Sequence, residues 1–282
     1  MARWLLVALL VCVAGCPPQR RGIAPADERQ ALQRVNDNLA KIEQPLQYQA
    51  TVSFRFRDAN GTDRRFIGHA ASLVFYQPRS LRFDIRSLAG EVAQFGSVED
   101  RYWLWIEPEV RKLWWGYWEM LEQANGHQLA VPPDDLLDAL MLRPLPATLT
   151  GNLKPLLRLE DDDHRLLFVR LGADGQPSGV REIRLDPSEP YQPLEIVDRL
   201  PDGRVQMHAH LSSYKRIGED GPFTARRYEV YWPLDRAEMR LDVKRAQFRP
   251  ELRGVIEFPA NWQGDVEQLD ALSDSFSTIF EE

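Results

Sequence analysis

From Tyr48 onward, apolar and polar residues alternate along most of this 282-residue chain. Tyr48, Ala50, Val52, Phe54 and Phe56 form the first apolar set, and polar residues separate them. Because successive side chains of a strand point to opposite faces, this period of two predicts strands with one apolar and one polar face. About eleven such runs follow one another, with Asn-Gly or Asp-Gly turn signals at 60–61, 174–175, 202–203 and 220–221. The pattern predicts a mainly β protein built as an antiparallel meander.

Three stretches carry helical rather than strand signals. Apolar residues recur at spacings of three and four from Leu32 to Ile42, with Asp27 as a suitable N-cap and Pro45 as the stop. Residues 132–134, Pro-Pro-Asp, open a second helix that covers 136–142. We expect a third helix from about 265 to 280. These helices interrupt the meander but do not divide it into domains.

The N-terminus has the pattern of a signal peptide. Arg3 precedes an apolar run from Trp4 to Val13, which is shorter than the roughly 20 residues that a membrane-spanning helix needs. The tetrad Val13-Ala14-Gly15-Cys16 resembles the lipobox of bacterial lipoproteins, whose cysteine becomes the first residue and carries acyl chains. The alternative is an ordinary signal peptide with an incidental cysteine.

We therefore expect a lipoprotein signal peptide at 1–15, a lipidated tether at 16–26 and a single domain at 27–282 that ends in the third helix. Lipid on Cys16 would hold the protein on a membrane, because more than one acyl chain makes anchoring stable. The only other cysteine, Cys12, lies in the predicted signal peptide, so the mature chain has no disulfide.

Composition excludes some functions. The formal net charge is −7 and no basic tract is present, which argues against nucleic-acid binding. We find no nucleophile elbow, no phosphate-binding glycine loop and no His-Glu-x-x-His zinc pattern. The sequence therefore predicts no enzymatic activity and no cofactor.

Three local motifs invite an ion or a sugar, and each has a simpler interpretation. His208 and His210 are two apart on a predicted strand, so both rings face one way, but the sequence suggests no third metal ligand. Residues 161–164, Asp-Asp-Asp-His, lack the glycine and glutamate of an EF-hand loop and are typical of a charged turn. Residues 60–62, Asn-Gly-Thr, match a glycosylation sequon but are explained by the hairpin turn. We expect no bound metal.

Eight aromatic residues lie between positions 95 and 118. They are Phe95, Tyr102, Trp103, Trp105, Trp114, Trp115, Tyr117 and Trp118. Alternation puts Trp103 and Trp105 on one face and Leu104 and Ile106 on the other, so both faces of this hairpin are apolar. One face can pack against a helix, and the other needs a further partner. The sequence leaves open whether that partner is the protein core or a ligand in a cavity.

A series of short motifs follows in a fixed order along the second half of the chain. They are Leu185-Asp186-Pro187, Pro193-Leu194-Glu195-Ile196, the Asp202-Gly203 hairpin, Tyr214, Tyr231-Trp232-Pro233 and Phe258-Pro259. With the order of helix, meander, short helix and further meander, they resemble the LolA/LolB class of lipoprotein carriers and receptors over residues 27–260. The resemblance implies an unclosed antiparallel β half-barrel of about eleven strands wrapped over a few helices, with a hydrophobic cavity for acyl chains between them.

The resemblance also implies a binding site without covalent chemistry. Its candidate lining residues are Phe54, Phe83, Phe95, Trp103 and Trp105, and a register shift of one residue would exchange inward and outward positions. The implied cargo is an acyl chain or a lipidated protein, and the implied partners are the membrane and a periplasmic carrier protein. The alternative is a sensory or structural envelope lipoprotein that uses the same half-barrel to hold a partner protein.

Two residues bear on the membrane. In LolB-like receptors a leucine on the turn between the third and fourth strands protrudes and touches the membrane, and Leu88 in the turn 87–90 has that place here. The alternative is a leucine folded back onto the barrel rim. Pro17, where lipoproteins kept at the inner membrane tend to carry aspartate, favours the periplasmic face of the outer membrane. The chain is longer than the receptor pattern, so the cavity is the more general expectation.

Overall fold

The computed structural model describes residues 25, 27–57, 61–107, 110–120, 131, 133–146, 154–160, 163–171, 175–188 and 190–270. The predicted signal peptide, the tether apart from residue 25, and Cys16 lie outside the described residues. Asn60 of the sequon and Asp161 and Asp162 of the charged turn also lie outside them.

One large sheet dominates the described part of the chain. Its strands are β1 (Leu46–Arg57), β2 (Asp63–Tyr76), β3 (Ser80–Ser87), β4 (Gly90–Ser97), β5 (Arg101–Ile106), β6 (Lys112–Tyr117), β7 (Leu156–Glu160), β8 (Asp163–Leu171), β9 (Pro177–Leu185), β10 (Pro193–Arg199), β11 (Val205–Ser212), β14 (Arg227–Trp232), β15 (Ala237–Phe248) and β16 (Asp265–Gln268). A separate pair is formed by β12 (Lys215–Arg216) and β13 (Phe223–Thr224).

The sheet is unclosed. Its fourteen strands have the order β16-β6-β5-β4-β3-β2-β1-β15-β14-β11-β10-β9-β8-β7, so β16 and β7 are the two edges. All neighbours are antiparallel except β16 and β6. The predicted mainly β half-barrel is confirmed, with more strands than the eleven or so expected. The strands that the alternation missed, β7, β12, β13 and β16, have only five, two, two and four residues, too few for a period to show.

Two α-helices lie in the described part of the chain, α1 (Glu28–Ala40) and α2 (Pro133–Ala139). The predicted N-cap is confirmed, because the Asp27 side chain accepts a hydrogen bond from the backbone N–H of Gln30 at 2.8 Å. Among the described residues, neither helix is long and apolar enough to cross a membrane.

Both helices pack on one face of the sheet, here called the inner face. The buried face of α1 consists of Ala31, Leu32, Val35 and Leu39. These residues join one apolar cluster with inward residues from strands on both sides of β1, such as Leu73 on β2, Leu166 on β8 and Met239 on β15. The described residues therefore form one main core, which lies between the helices and the inner face.

The opposite, outer face of β4, β5 and β6 carries a second apolar cluster. Trp103, Trp105 and Leu113 are buried there beneath a chain segment that includes Ile256, Phe258 and Trp262. The ring centroids of Trp103 and Phe258 are 5.6 Å apart, edge to face. A β-carbon at Gly96 would lie 2.2 Å from the Trp103 indole, so this position needs glycine. The segment from 253 to 264 thus acts as a strap over the outer face.

The predicted C-terminal helix is wrong where it can be compared. Asp265–Gln268 form β16, which pairs in parallel with Lys112–Trp115 of β6. An edge strand leaves a row of backbone groups without partners, and the returning chain satisfies them here. Residues 271–282, which would have formed the rest of the helix, lie outside the described residues.

Candidate functional site

The candidate site is the apolar layer between the inner face and the two helices. A small void lies within it, bordered by Val35 and Leu39 of α1, Leu140 after α2, and Tyr48 and Tyr228 of the sheet. Its volume is about 20 Å³, which is far below the roughly 300–1,000 Å³ of ordinary small-molecule pockets. An acyl chain could therefore enter this void only if a helix moved away from the sheet.

The hydroxyl groups of three tyrosines are isolated polar groups in the mostly apolar lining of this void. The hydroxyls of Tyr48 and Tyr228 are 3.5 Å apart, and Tyr214 donates a hydrogen bond to the backbone oxygen of Pro193. Burial raises the pKa of all three hydroxyls, so they stay neutral. A neutral, mostly apolar lining suits an uncharged chain rather than an ion.

Helix α1 is fastened by two asparagine side chains that act as backbone mimics. Asn36 donates to the carbonyl of Leu145 and accepts from its N–H, both at 2.8 Å. Asn38 does the same with Phe223, at 2.9 and 2.8 Å. Because these hydrogen bonds are directional, they fix the position of the helix. Because they are few, they do not hold it permanently against the sheet.

Helix α2 is fastened by charges, here called the α2 ionic cluster: Arg181, Asp198, Asp138, Arg143 and Asp134. Arg181 of β9 binds Asp198 of β10 with two parallel hydrogen bonds of 2.8 and 2.6 Å and reaches Asp138 of α2 at 2.5 Å. Arg143 also donates to Asp138, at 2.5 Å. Burial opposes ionisation of Asp138, but the two guanidinium groups outweigh it and lower the pKa of that carboxyl.

Asp135 lies beside this cluster, and no ion pair joins its carboxylate to a cation among the residues that the structure describes. Burial, then the carboxylates of Asp198 and Asp138, raise the pKa of Asp135 to about 7, although Arg181 and Arg170 partly oppose this. The Asp135 carboxyl accepts a hydrogen bond from the side-chain amide of Gln206 at 3.3 Å. The first turn of α2 therefore contains a carboxyl group whose charge changes near neutral pH.

The structure does not bring the five predicted lining residues together. Phe83 and Phe95 belong to the inner core, and Phe54 packs against it, partly buried. Trp103 and Trp105 belong to the separate outer cluster beneath the strap. The reason is register, because Tyr102 and Ile106 occupy the inward positions of β5 and leave the tryptophans facing out. Whether any of the five contacts a ligand stays a prediction.

The tyrosines at the void were missed by sequence reasoning. Alternation shows that Tyr48 occupies an inward position of β1. Its spatial neighbours Tyr214 and Tyr228, however, are distant from it in sequence. They meet only because β1 pairs with β15 and β15 with β14. A signal for this pairing is absent from the local pattern.

Leu88 lies on the turn between the third and fourth strands, as predicted. It is 110% exposed relative to a reference leucine, so the alternative in which it folds back onto the rim is wrong. The hydroxyl of Ser87 accepts from the N–H of Ala89 at 3.1 Å and donates to the carbonyl of Gly90 at 3.3 Å. This tight reversal, with Gly90 at φ +136°, leaves the leucine no surface to cover. Its contact with a membrane stays a prediction.

The fold of this chain resembles that of solved structures of other proteins. It is similar to a DUF1329 family protein from Desulfovibrio piger, with 12% identity and a TM-score of 0.50 over 86% of this chain and 100% of that one. The likeness is one of fold. It is also similar to a LolA superfamily protein from Nitrosomonas europaea, with 12% identity and a TM-score of 0.49 over 80% of this chain and 97% of that one.

A third similar structure is a putative outer membrane lipoprotein-sorting protein domain from Vibrio parahaemolyticus, with 10% identity and a TM-score of 0.46 over 79% of this chain and 94% of that one. No protein-family model and no curated protein sequence matches the chain.

The titration of Asp135 yields a test of how α2 is held. The folded state binds this proton more tightly than the unfolded chain, whose aspartate pKa is 3.8. The stability that the protonated group contributes is therefore complete below that pKa and is lost as the pH rises through about 7.

We expect Asp135→Asn to be more stable than the wild type at pH 8 by about 1–3 kcal/mol, with the difference shrinking toward pH 4. Urea unfolding at several pH values measures this. Asp37→Asn, on the exposed side of α1, is the control and should retain the wild-type pH dependence. Equal stability of Asp135→Asn and wild type at pH 8 would contradict the proposed charge state.

Proposed function

We propose that this protein is a lipid-anchored lipoprotein of the cell envelope that binds an acyl chain, or the acyl chains of a lipidated protein, between its helices and the inner face of its sheet. The observation that carries the proposal is the continuous apolar inner face, which is covered, in the described part of the chain, by two short helices, α1 of 13 residues and α2 of 7. The binding is non-covalent, and the protein acts as a carrier or receptor rather than an enzyme.

The energetics of uptake are favourable if the helices can move. Each methylene withdrawn from water contributes about 0.8 kcal/mol, so a long acyl chain supplies on the order of 10 kcal/mol. Opposing this are the contacts that a displaced helix loses, chiefly the apolar side chains of α1 and the four hydrogen bonds of Asn36 and Asn38. Because the acyl chain would replace the lost apolar contacts, the net free-energy cost of displacing α1 is that of breaking these hydrogen bonds.

Anchoring and orientation complete the proposal. Cys16 would carry the lipid, and Pro17 after it favours the periplasmic face of the outer membrane. Leu88, exposed at the tip of the β3–β4 turn, would insert into the surface of the bilayer. The likeness in fold to the DUF1329 structure supports the half-barrel but not its cargo.

One observation favours a second candidate function. Around Val35, Tyr48 and Tyr228, the void between the helices and the sheet is only about 20 Å³, so the described side chains fill this part of the inner face. A half-barrel that never opens would instead hold a partner protein on its surface, as a sensory or structural envelope lipoprotein. The two functions differ in whether an acyl chain reaches the inner face.

Photolabelling distinguishes these functions. We expect a diazirine-bearing palmitate analogue to label the Cys16→Ser chain saturably, with the modified peptides mapping to α1 and to the strand around Tyr48. Excess unlabelled palmitate should compete. Absence of saturable labelling, or labelling confined to the outer cluster around Trp103, would remove the acyl-binding proposal and leave the partner-binding one.

A variant pair sharpens this measurement. Asn36→Ala removes both hydrogen bonds to Leu145 and should increase the initial labelling rate several-fold, because α1 is released more easily. Asp37→Ala, the exposed neighbour, should label at the parental rate. Equal rates for both variants would contradict entry beneath α1.

The membrane contact of Leu88 is tested separately. In the Cys16→Ser background, which lacks the proposed anchor, we expect Leu88→Glu to lower binding to phospholipid vesicles about tenfold, because burial of a leucine side chain is worth about 1.5–3 kcal/mol. Sedimentation with vesicles measures the bound fraction. The control is Ile67→Glu, an equally drastic change at an exposed residue of β2, which should bind like its parent. A loss of binding shared by both variants would point to charge rather than to contact by this turn.

A further inference from the structure

A group of potential metal ligands lies on the outer face, away from the apolar layer. Glu195, His208 and His210 each offer one ligand atom, and these atoms all lie within 4.8 Å of one another. It is the one group of three or more such side chains found among the described residues. The sequence showed the two histidines but suggested no third ligand.

Strand pairing supplies the missing ligand. His208 and His210 are two apart on β11, so both project from its outer face, while Met207, Ala209 and Leu211 between and beside them face the core. In the antiparallel ladder Glu195 of β10 lies directly opposite His210. Because opposite residues share a face, its carboxylate is brought to the imidazoles.

The contacts fix the carboxylate in a useful orientation. Oε2 of Glu195 accepts a hydrogen bond from Nε of Arg184 on β9 at 3.0 Å. The other oxygen, Oε1, lies 2.7 Å from Nε2 of His208. Arg184 thus holds one carboxylate oxygen and leaves the second directed at the histidines, as an outer-shell partner of a metal ligand does.

We propose that Glu195, His208 and His210 bind one divalent transition-metal ion of the zinc class. Two imidazoles and one carboxylate are a donor set that zinc favours, whereas calcium and magnesium prefer oxygen ligands alone. Three protein ligands leave a coordination position for water or for a donor from another molecule. This site does not depend on the proposed acyl binding.

The geometry needs only side-chain adjustment. Ligand atoms around a tetrahedral zinc ion, at bond lengths of about 2.0–2.2 Å, lie roughly 3.3 Å apart. The three side chains are already within 4.8 Å, and the side chain of His208 is 43% exposed while His210 is exposed. Small rotations of partly free side chains can therefore close the site without moving the strands.

The surroundings leave the site accessible. Both histidines border an open groove of about 490 Å³ that is also lined by Glu229, Tyr231 and Arg240. Glu229 lies opposite His210 on β14 and offsets part of the positive charge of the nearby arginines. A cation can reach the ligands from solvent through this groove.

The test uses the full chain carrying Cys12→Ser and Cys16→Ser and no polyhistidine tag, so that neither cysteine thiols nor the imidazoles of a tag compete for the metal. Titration with ZnCl₂, followed by calorimetry and by the visible absorption of a Co²⁺ substitute, should show one ion per chain. We expect His208→Ala, His210→Ala and Glu195→Gln each to weaken binding about tenfold or more. His69→Ala, on β2, is the control and should bind like the parent.

Two results would overturn the proposal. One is the absence of zinc binding by the parent chain at millimolar metal, and the other is unchanged affinity in the three ligand variants. Because all three positions are on the outer face, circular dichroism should show the parental fold in each variant. If one variant loses both zinc binding and its fold, the other two variants and the Co²⁺ spectrum of the parent decide the outcome.

Discussion

The pairing of β1 with β15 holds the architecture together. The chain before α2 forms the strands from β1 to β6, and the chain after it forms those from β7 to β15 and the edge strand β16. Each half is a meander of mostly sequential neighbours, and the register of Leu46 with Phe248 through Arg55 with Glu238 joins the two into one sheet. Contacts so distant in sequence are costly to form in chain entropy, but they create a single inner face wide enough to need both helices as cover.

The two helices are held on this inner face by different means. Apolar packing and paired asparagine bonds hold α1, whereas buried charges hold α2. A buried ion pair is directional and loses much of its benefit when its geometry is disturbed. The two helices thus differ in what would release them. An apolar ligand competes with the contacts of α1, and a change of charge near Asp135 acts on α2.

Much of the fold could be predicted from sequence because antiparallel strands carry their own pattern. Alternation and Asp-Gly turns located most strands, the cap at Asp27 located α1, and the reversal at 87–90 placed Leu88 correctly. What the sequence could not show was which strands pair over long distances. For that reason the meeting of Tyr48 with Tyr228 was missed. The outward facing of Trp103 and Trp105 and the approach of Glu195 to His208 across the β10–β11 hairpin depend instead on strand register, which alternation alone does not fix.

The failure at the C-terminus has a related cause. A four-residue edge strand at Asp265–Gln268 has no alternation of its own and exists because β6 presents an open edge beside it. The strap over the outer face similarly depends on Phe258 and Trp262 finding tryptophans from β5. Such segments take their structure from a surface formed elsewhere, so local composition describes them poorly.

The central claim is that α1 leaves the inner face when an acyl chain enters. Electron paramagnetic resonance measures this directly, with spin labels at Gln33 on the exposed side of α1 and at Gln49 on the exposed face of β1. We expect saturating palmitate to shift the distribution of distances between the labels to longer values and removal of palmitate to restore it. A distribution that stays unchanged while palmitate is bound would show that the acyl chain does not enter beneath α1.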